Sequence, residues 1–403
     1  MHSKPIGWTM RGSAAYRRVS LALFLAGFAT FSLLYCVQPL LPVLAQDFHI
    51  SPAASSLALS LTSGFLALGV LCAGAISEVL GRRGLMFMSM SSAALLNIVS
   101  AIVPDWHAML IVRALEGFLL GGVPAVAMAY LAEEIHPESL GSSMGLYVGG
   151  TALGGMLGRV GVGILTEFFS WRVALGVFGA LDLLAAAGFF ALLPPSRNFV
   201  RRTSLDAAYH LAAWHRHLRH RGLPFLFAIG FLVMGSFVTI YNYAGFRLSE
   251  PPYDLTPGQM SLVFTVYIFG VIASTAAGRM SDIIGRGPVL IAGTLHARLG
   301  IGLTLFESLT GVIAGIAFVT MGFFVSHAVA SGWVGRMADG AKGHATSLYL
   351  LTYYIGASVM GSIGGSFWTA GHWPAVAAFT GAQFALALAA ALWLQRGEIA
   401  DRS

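Results

Sequence analysis

Long apolar segments separated by short polar ones dominate this chain and restrict what it can fold into. Crossing a membrane as a helix takes about 20 predominantly apolar residues. Twelve segments meet that length approximately, at 19–45, 53–79, 84–103, 108–132, 140–165, 172–193, 223–247, 259–283, 287–306, 311–334, 344–367 and 373–395. Charged residues make up only 10% of the chain, against roughly 25% in soluble domains, so it lacks the side chains to cover a surface in water. The sequence therefore predicts an all-α membrane protein of twelve transmembrane helices, with membrane lipid as its surroundings.

The distribution of positive charge predicts how these segments are oriented. With a cytoplasmic N-terminus, 18 of the 23 Lys and Arg residues fall in cytoplasmic segments, whereas only Arg172 and Arg247 fall at outer ends. The other three, Arg113, Arg159 and Arg298, lie inside apolar segments. Because cytoplasmic loops are enriched in Lys and Arg, we expect a bacterial inner-membrane protein with both termini cytoplasmic. The net charge of +6 is confined to certain loops, so no nucleic-acid partner is expected.

The two halves of the chain repeat one another. Related positions lie 202 to 204 residues apart, and they are Glu78 and Asp282, Leu146-Tyr147 and Leu348-Tyr349, Gly154 and Gly356, and Gly163 and Gly365. This predicts a six-helix bundle over residues 1–193, a cytoplasmic linker over 194–222 and a second six-helix bundle over 223–403. Parallel repeats of this kind are a transporter architecture, with a small-molecule substrate bound near the midplane.

The linker is basic and rich in histidine. Leu205, Ala208, Ala212 and Leu218 suggest an apolar stripe, and Ser204 is a candidate N-cap, so we expect an interfacial helix on the inner leaflet. Metal binding or pH sensing is the alternative for the four histidines, which we expect on the solvated face: His210, His215, His217 and His220.

A short charged motif occurs twice, as GAISEVLGRRG at 74–84 and GRMSDIIGRG at 278–287. The first resembles the loop 2–3 signature of the major facilitator superfamily, and the second resembles its partner in loop 8–9. Three further stretches resemble motifs of the twelve-helix drug:proton antiporter branch: QPLLPVLAQDF at 38–48, RALEGFLLGG at 113–122 and GGMLGRVGVG at 154–163. The resemblance covers the whole chain and departs from the branch at two positions. Glu116 stands where Gln is usual, and Arg159 stands where Pro is usual.

The resemblance implies a cytoplasmic gate at the doubled motif. In this gate, the Glu78 carboxylate would meet the start of a helix near Lys342, and the Asp282 carboxylate would meet the start of a helix near Ser142. The alternative is that the motif only sets orientation, which explains its arginines but not its acids. The gate residues are Glu78, Gly81, Arg82, Arg83, Asp282, Gly285 and Arg286.

Buried charges are the candidates for proton coupling, because ionisable residues inside a membrane normally face a partner or a cavity. Glu116 lies about 13 Å from the outer end of its segment and Arg159 about 10–12 Å, at 1.5 Å per residue. Arg113 lies one turn from Glu116, so the three residues suggest an Arg–Glu–Arg cluster. One interpretation is an ion network that only locks the first half of the chain. The other is a group in which protonation of Glu116 frees an arginine. Asp182 and Arg298 are expected to be structural, with Asp182 the second proton candidate.

Polar and aromatic side chains at similar depth are the candidates for the substrate cavity. They are Tyr35, Gln38, Tyr241, Asn242, Tyr267 and Tyr353. A mostly apolar cavity with a few directing groups is typical of ligand sites, although tyrosines also line membrane interfaces. The lone histidines His296 and His327 are expected to be hydrogen-bonded packing residues. In the fifth segment Gly150, Gly154, Gly158 and Gly161 share one face, which predicts close helix contact, either sliding between the halves or static within one half.

Together these features predict a secondary transporter and not an enzyme. The chain has no Walker-type phosphate loop, no nucleophile–base set and no metal-ligand set, and no cofactor is expected. We expect a monomer that performs proton-coupled efflux of a small organic compound. The alternative is proton-coupled uptake of a small organic anion, for which Arg113, Arg159 and Arg298 outnumber Glu116 and Asp182.

Overall fold

The computed structural model describes residues 7–199, 207–338 and 342–400. Within these ranges the chain is helical apart from turns, loops and one isolated parallel β-bridge between Thr9 and Ile135. The helices, in chain order, are α1 (Ala14–Tyr35), α2 (Leu41–Asp47), α3 (Pro52–Leu80), α4 (Arg82–Ser100), α5 (Trp106–Leu120), α6 (Pro124–Glu134), α7 (Pro137–Phe168), α8 (Trp171–Leu192), α9 (Ala207–Leu218), α10 (Leu223–Ser249), α11 (Pro257–Leu262), α12 (Tyr267–Ile284), α13 (Arg286–Leu303), α14 (Leu309–Met337) and α15 (Lys342–Ala400). The predicted all-α fold is confirmed for the described residues.

Nine helical stretches of the described chain are long and apolar enough to cross a membrane, judged by length and composition. One of them is most of α15, whose 59 residues include the non-helical Gly371 and His372, so it covers the last two predicted segments. The third and ninth predicted segments correspond to α4 and α13, which are not among the nine. A count of twelve membrane crossings stays a prediction.

Local sequence explains where several helices begin and where α1 ends. Ser13, Asp105, Ser170 and Ser308 each accept a hydrogen bond from a backbone N–H in the first turn of α1, α5, α8 and α14. Such caps satisfy N–H groups that have no partner within the helix. After Tyr35 the chain passes through a 3₁₀ turn at Gln38–Leu40, because Pro39 lacks the N–H that would continue the α-helix.

The helices form two compact units. Unit 1 comprises Met1–Leu40 and Phe65–Leu205, and unit 2 comprises Leu41–Gly64 and Asp206–Ser403. One of the boundaries between the units therefore falls inside α3. The first part of α3 packs within unit 2, where a Cβ at Gly365 would lie 2.4 Å from Ala53 Cβ and one at Gly64 would lie 2.7 Å from Ser358 Oγ.

The sequence repeat is visible in how each unit packs. In unit 1, a Cβ at Gly154 of α7 would lie 2.1 Å from the carbonyl oxygen of Phe28 in α1. In unit 2, a Cβ at Gly356 of α15 would lie 2.2 Å from the carbonyl oxygen of Phe231 in α10. Two helices of each unit therefore touch backbone to backbone at equivalent glycines.

The glycine face of α7 packs inside unit 1. Gly150 and Gly158 also meet the α1 backbone, at Phe24 and Ser32, whereas Gly161 meets the ring of Phe178 in α8. The sequence left two interpretations of this face, sliding between the halves and static packing within one half. The observed contacts are those of packing within one half.

The linker contains a helix, α9, but its buried face differs from the predicted stripe. Ala213 and His217 are buried, whereas Leu211 and Leu218 are more than half exposed. Ala212 and Leu218 of the predicted stripe are exposed, and its position on the inner leaflet stays a prediction. The expected solvated position was wrong for His217, because α9 packs on α10 and α15. Ser204 and Leu205, and the side chains of Ala208 and His210, lie outside what the structure describes.

Candidate functional site

Four charged residues of unit 1 are at most 1% exposed. Arg113 and Glu116 on α5 are 0% exposed, and Arg159 on α7 and Asp182 on α8 are each 1% exposed. These are the four residues that the sequence predicts for proton coupling. Burying a charge costs free energy unless the charge is paired and hydrogen-bonded, so the partners of each of these side chains matter.

Arg113 and Glu116 form an ion pair. Arg113 Nη1 donates to Glu116 Oε2 at 2.7 Å, across one helical turn. Arg113 also donates to Asn97 Oδ1 on α4 at 3.3 Å, and to the carbonyls of Leu33 and Leu34 at 3.4 and 3.2 Å. Those carbonyls belong to the last turn of α1, where helical partners run out. One guanidinium thus joins three helices and compensates the charge of Glu116.

Arg159 lies against neutral groups that the sequence assigned to the substrate cavity. Its Nε donates to Gln38 Oε1 at 2.6 Å, and its Nη1 donates to the Gly155 carbonyl at 2.6 Å. The guanidinium stands 3.9 Å from the centre of the Tyr35 ring, a cation–π contact. The structure therefore brings Tyr35, Gln38 and Arg159 together.

Of the expected Arg–Glu–Arg cluster, the structure shows the Arg113–Glu116 pair. Arg113 reaches Glu116 because the two residues are three positions apart on one helix face. Asn97 is a member of the cluster that the sequence analysis missed. Its Nδ2 donates to the Leu175 carbonyl at 2.8 Å, and its Oδ1 accepts from Arg113 and from Cys36 Sγ. An amide inside a long apolar segment was the available signal.

Asp182 lies on the face of α8 that turns toward this cluster. The Ser32 hydroxyl of α1 approaches its carboxyl group, and the negative charge of Glu116 acts on it. Neither carboxyl oxygen of Asp182 makes a hydrogen bond with good geometry to any described residue. Asp182 therefore belongs to the buried polar group and not to an outer surface.

Three of the predicted cavity residues in unit 2 belong to one aromatic cluster. Tyr241 Oη shares a hydrogen bond with Thr320 Oγ1 at 2.7 Å, and its ring lies 5.5 Å from that of Tyr267. Tyr353 joins the cluster through Phe323, at 6.4 Å between ring centres. Asn242 instead points to α15, where its Nδ2 would lie 3.3 Å from a Cβ at Gly361.

A histidine at the end of this cluster was not predicted as a cavity residue. His327 Nδ1 lies 2.9 Å from Tyr349 Oη, and its ring is 4.7 Å from that of Tyr353. The expectation of a hydrogen-bonded histidine at this position is confirmed. His296 packs its ring on Phe318 at 4.4 Å, and its Nε2 makes no hydrogen bond to the described residues. A small cleft lies beside His327, and its lining residues are Ile229, Gly230, Val233, Ser326, His327, Tyr349 and Tyr353.

The first copy of the doubled motif is held within unit 1. Arg82 Nη2 bonds Glu133 Oε1 at 2.7 Å, and its Nη1 contacts Ser77 Oγ. Arg83 Nη2 donates to the Phe190 carbonyl at 2.7 Å. The side chain of Glu78 lies outside what the structure describes.

The second copy has the same backbone turn as the first. Gly81 and Gly285 both have φ of 91°, a conformation that side chains other than glycine rarely adopt. Each glycine directly precedes a helix that begins with arginine, Arg82 or Arg286. Asp282 Oδ1 lies 3.6 Å from Arg336 Nη2, with both side chains mostly exposed.

Arg298 does not join the buried charges. It is exposed on α13, so the expectation of a third buried arginine was wrong. Among the residues that the structure describes, no group of three or more His, Cys, Asp or Glu side chains is arranged to hold a metal ion.

Comparison with known proteins identifies the family. The family model of the Major Facilitator Superfamily matches residues 23–251 and 251–402. The chain belongs to the Major Facilitator Superfamily. Inner membrane transport protein YnfM of Escherichia coli (strain K12) is 45% identical, covering 98% of this chain and 94% of that protein. The MFS-type transporter YybF of Bacillus subtilis (strain 168) is 44% identical, covering 95% and 94%.

Solved structures of other transporters share the fold at low identity. A mutant of the nucleoside transporter NupG has a TM-score of 0.77 at 14% identity, covering 93% of this chain and 99% of that one. A bacterial homologue of the human lysosomal transporter Spinster has a TM-score of 0.71 at 14% identity, covering 95% of each. The predicted family is confirmed, and the chain is a multi-pass membrane transporter and not an enzyme.

Proposed function

We propose that this transporter exports a small organic solute in exchange for protons, as a member of the drug:proton antiporter branch in the inner membrane. The observation that carries the proposal is the Arg113–Glu116 ion pair, in which both side chains are wholly buried. Buried ion pairs add little net stability compared with apolar packing, so one retained at this depth favours a role in the transport cycle.

Protonation of Glu116 gives that pair two states. With Glu116 ionised, Arg113 Nη1 donates to both Glu116 Oε2 and Asn97 Oδ1, while Arg113 Nη2 donates to the end of α1. When Glu116 takes up a proton, the charge attraction to Arg113 is lost and the contacts among α1, α4 and α5 weaken. A proton can bias two conformations in this way only if it binds them with different affinity.

We assign solute contacts to two groups of side chains. In unit 1 these are Tyr35, Gln38 and Arg159, which touch one another. In unit 2 these are Tyr241, Tyr267 and Tyr353, with Asn242 on the neighbouring face. The doubled motif, with Glu78, Gly81, Arg82 and Arg83 in one copy and Asp282, Gly285 and Arg286 in the other, serves as the cytoplasmic gate.

Transport in everted membrane vesicles tests the proposal. A compound found by thermal stabilisation of the purified protein is radiolabelled, and its accumulation is measured with an acidic, neutral or alkaline lumen. Proton-coupled export predicts accumulation only with an acidic lumen, and its collapse on addition of a protonophore. Accumulation that is the same in all three conditions would reject proton coupling.

Uptake of a small organic anion is the second candidate. Arg159 supports it, because a buried guanidinium with fixed geometry suits recognition of a carboxylate. Fewer buried arginines support anion uptake than the sequence suggested, since Arg298 is exposed. In right-side-out vesicles this function predicts accumulation of an anionic solute with an acidic exterior, whereas the export proposal predicts extrusion.

A further inference from the structure

Asp182 stands out among the buried charges because neither of its carboxyl oxygens makes a hydrogen bond with good geometry to the residues that the structure describes. Its Oδ1 and Oδ2, Ser32 Oγ and Glu116 Oε1 are all buried and make no hydrogen bond with good geometry in the part of the chain that the structure describes. They come from α8, α1 and α5. The Ser32 hydroxyl lies beside the Asp182 carboxyl group, and the charge of Glu116 acts on that group. Buried polar atoms are normally hydrogen-bonded, so four such oxygens together point to a small occupant.

The groups around Asp182 can be followed helix by helix. On α1 these are Ser32 and the thiol of Cys36, and on α5 they are Glu116 and its partner Arg113. On α4, Asn97 is neutral and is bonded to Arg113 and the Leu175 carbonyl. On α7, the charge of Arg159 is directed at Gln38 and Tyr35.

Apart from Arg159, which contacts Gln38 and Tyr35, the charges of Arg113, Glu116 and Asp182 sum to one negative charge. Arg113 balances Glu116 through the 2.7 Å ion pair, whereas Asp182 has the like charge of Glu116 as its charged neighbour. A carboxylate at this depth is costly unless a cation is bound to it. One proton on Asp182 makes the group neutral.

We propose that Asp182 is the residue that binds the transported proton while Glu116 is ion-paired with Arg113. In the next step the proton moves from an oxygen of Asp182 to Glu116 Oε1, the oxygen that Arg113 does not hold. Asp182 then carries the negative charge and Glu116 is neutral, so the net charge of the group is unchanged. Ser32 lies beside Asp182 to position its carboxyl group.

This assignment rests on the proposed proton coupling and revises its order, since Asp182 and not Glu116 receives the proton first. It makes Glu116 and Asp182 partners in one relay and not alternatives.

Carbodiimide labelling of the purified full-length protein tests the assignment without a transport substrate. Dicyclohexylcarbodiimide reacts with protonated carboxyl groups in apolar surroundings. Trypsin cleavage after Arg172 and Arg197 yields a fragment in which Asp182 is the sole carboxyl side chain. The cleavage fragment from Ala114 to Arg159 carries Glu116 together with Glu133, Glu134 and Glu138, so fragmentation in the mass spectrometer assigns an adduct within it. Mass spectrometry of the two fragments therefore separates the candidates.

The expected result is an adduct on the Asp182 fragment of the wild-type protein and its loss in Asp182→Asn. Replacing choline chloride by sodium chloride should leave the labelling unchanged. Labelling at Glu116 with Asp182 unlabelled would overturn the assignment, and so would protection of Asp182 by sodium. Because the decisive measurement uses the wild-type protein, a poorly folded variant does not obscure it.

The labelling and transport experiments together distinguish a wrong proton site from a wrong proposed function. If wild-type vesicle transport ignores a pH gradient, proton coupling is rejected whatever the labelling shows. If transport follows the gradient and Asp182 stays unlabelled, coupling stands and the proton site lies elsewhere.

Discussion

At the scale of single residues, the chemistry of unit 1 depends on which partner each buried charge has. Arg113 holds Glu116 across one turn of α5, Arg159 holds Gln38 and faces Tyr35, and Asp182 faces Ser32. Equal depth in the membrane predicted that Glu116 and Arg159 could pair. The direction in which each side chain points from its helix decided the pairs.

Replacing Glu116 by Gln tests the residue-scale proposal. Gln keeps the size of the side chain but carries neither charge nor exchangeable proton. We expect Glu116→Gln to fold and to bind the stabilising compound, and to lose the dependence of transport on the pH gradient. Vesicle flux with and without the gradient measures this.

The control for that variant is Glu138→Gln, since Glu138 is an acid whose side chain is 84% exposed. It should behave as the wild type. Glu116→Ala should in addition lower stability by about 3–5 kcal/mol, because it leaves Arg113 buried without its counter-charge. Normal proton-driven transport in Glu116→Gln would remove Glu116 from the coupling mechanism.

At the scale of helices, each unit depends on two helices that meet backbone to backbone. α7 meets α1 at Gly154, and α15 meets α10 at Gly356. In a membrane such contacts gain van der Waals packing where larger residues would hold the helices apart. The helices that carry Arg159 and Ser32 are thereby held at close range.

Gly154→Ala should destabilise unit 1. The added methyl group would overlap the Phe28 carbonyl oxygen, 2.1 Å away, and separating α1 from α7 costs about 1–3 kcal/mol. Gly149→Ala on the same helix is the matched control, because nothing lies within 4 Å of its Cβ position. Alanine also has the higher helix propensity, so the control should be neutral or stabilising. Thermal unfolding in detergent compares them, and equal stability of the two variants would contradict the close contact.

A second element-scale prediction concerns the turn of the doubled motif. Gly81 has φ of 91° and ψ of 152°, a region that essentially only glycine occupies. Gly81→Ala should therefore cost about 1–3 kcal/mol of stability. Gly84→Ala, three residues on inside α4, has open space and no such dihedral angle, and should be tolerated. If Gly84→Ala lowered the unfolding temperature as much as Gly81→Ala, backbone conformation would not be the reason for the glycine.

At the scale of the whole molecule, the sequence predicts how the chain is oriented in the membrane, and its two halves repeat one another. The uneven distribution of Lys and Arg predicts cytoplasmic termini, and the family places the chain in a membrane. Equivalent glycines make equivalent contacts in the two units, so the repeat in the sequence is also a repeat in packing.

Reporter fusions test the orientation. A periplasm-active phosphatase fused after Asn198 should be inactive, because the linker is predicted to be cytoplasmic. The same reporter fused after Glu250 should be active, since that residue follows α10 at its predicted outer end. The opposite pattern would reverse the orientation and remove the proposed cytoplasmic gate.

The sequence by itself determined the class of fold, the family and most members of the buried charged group. Long apolar segments, the scarcity of charge and the doubled motif are properties of the chain that hold whatever its partners are. Because water and lipid select by composition and length, these features translate directly into membrane helices.

Only the tertiary structure decided which residues meet. It joined Arg113 to Asn97 and to the end of α1, placed Arg159 against Tyr35, and left Arg298 exposed. It turned Ala213 and His217 of α9 inward where the sequence favoured an apolar stripe. Which residues touch depends on how helices far apart in sequence pack together. In a membrane, lipid and the protein interior are equally apolar, so the spacing of apolar residues is a weak guide to how each helix is rotated about its axis.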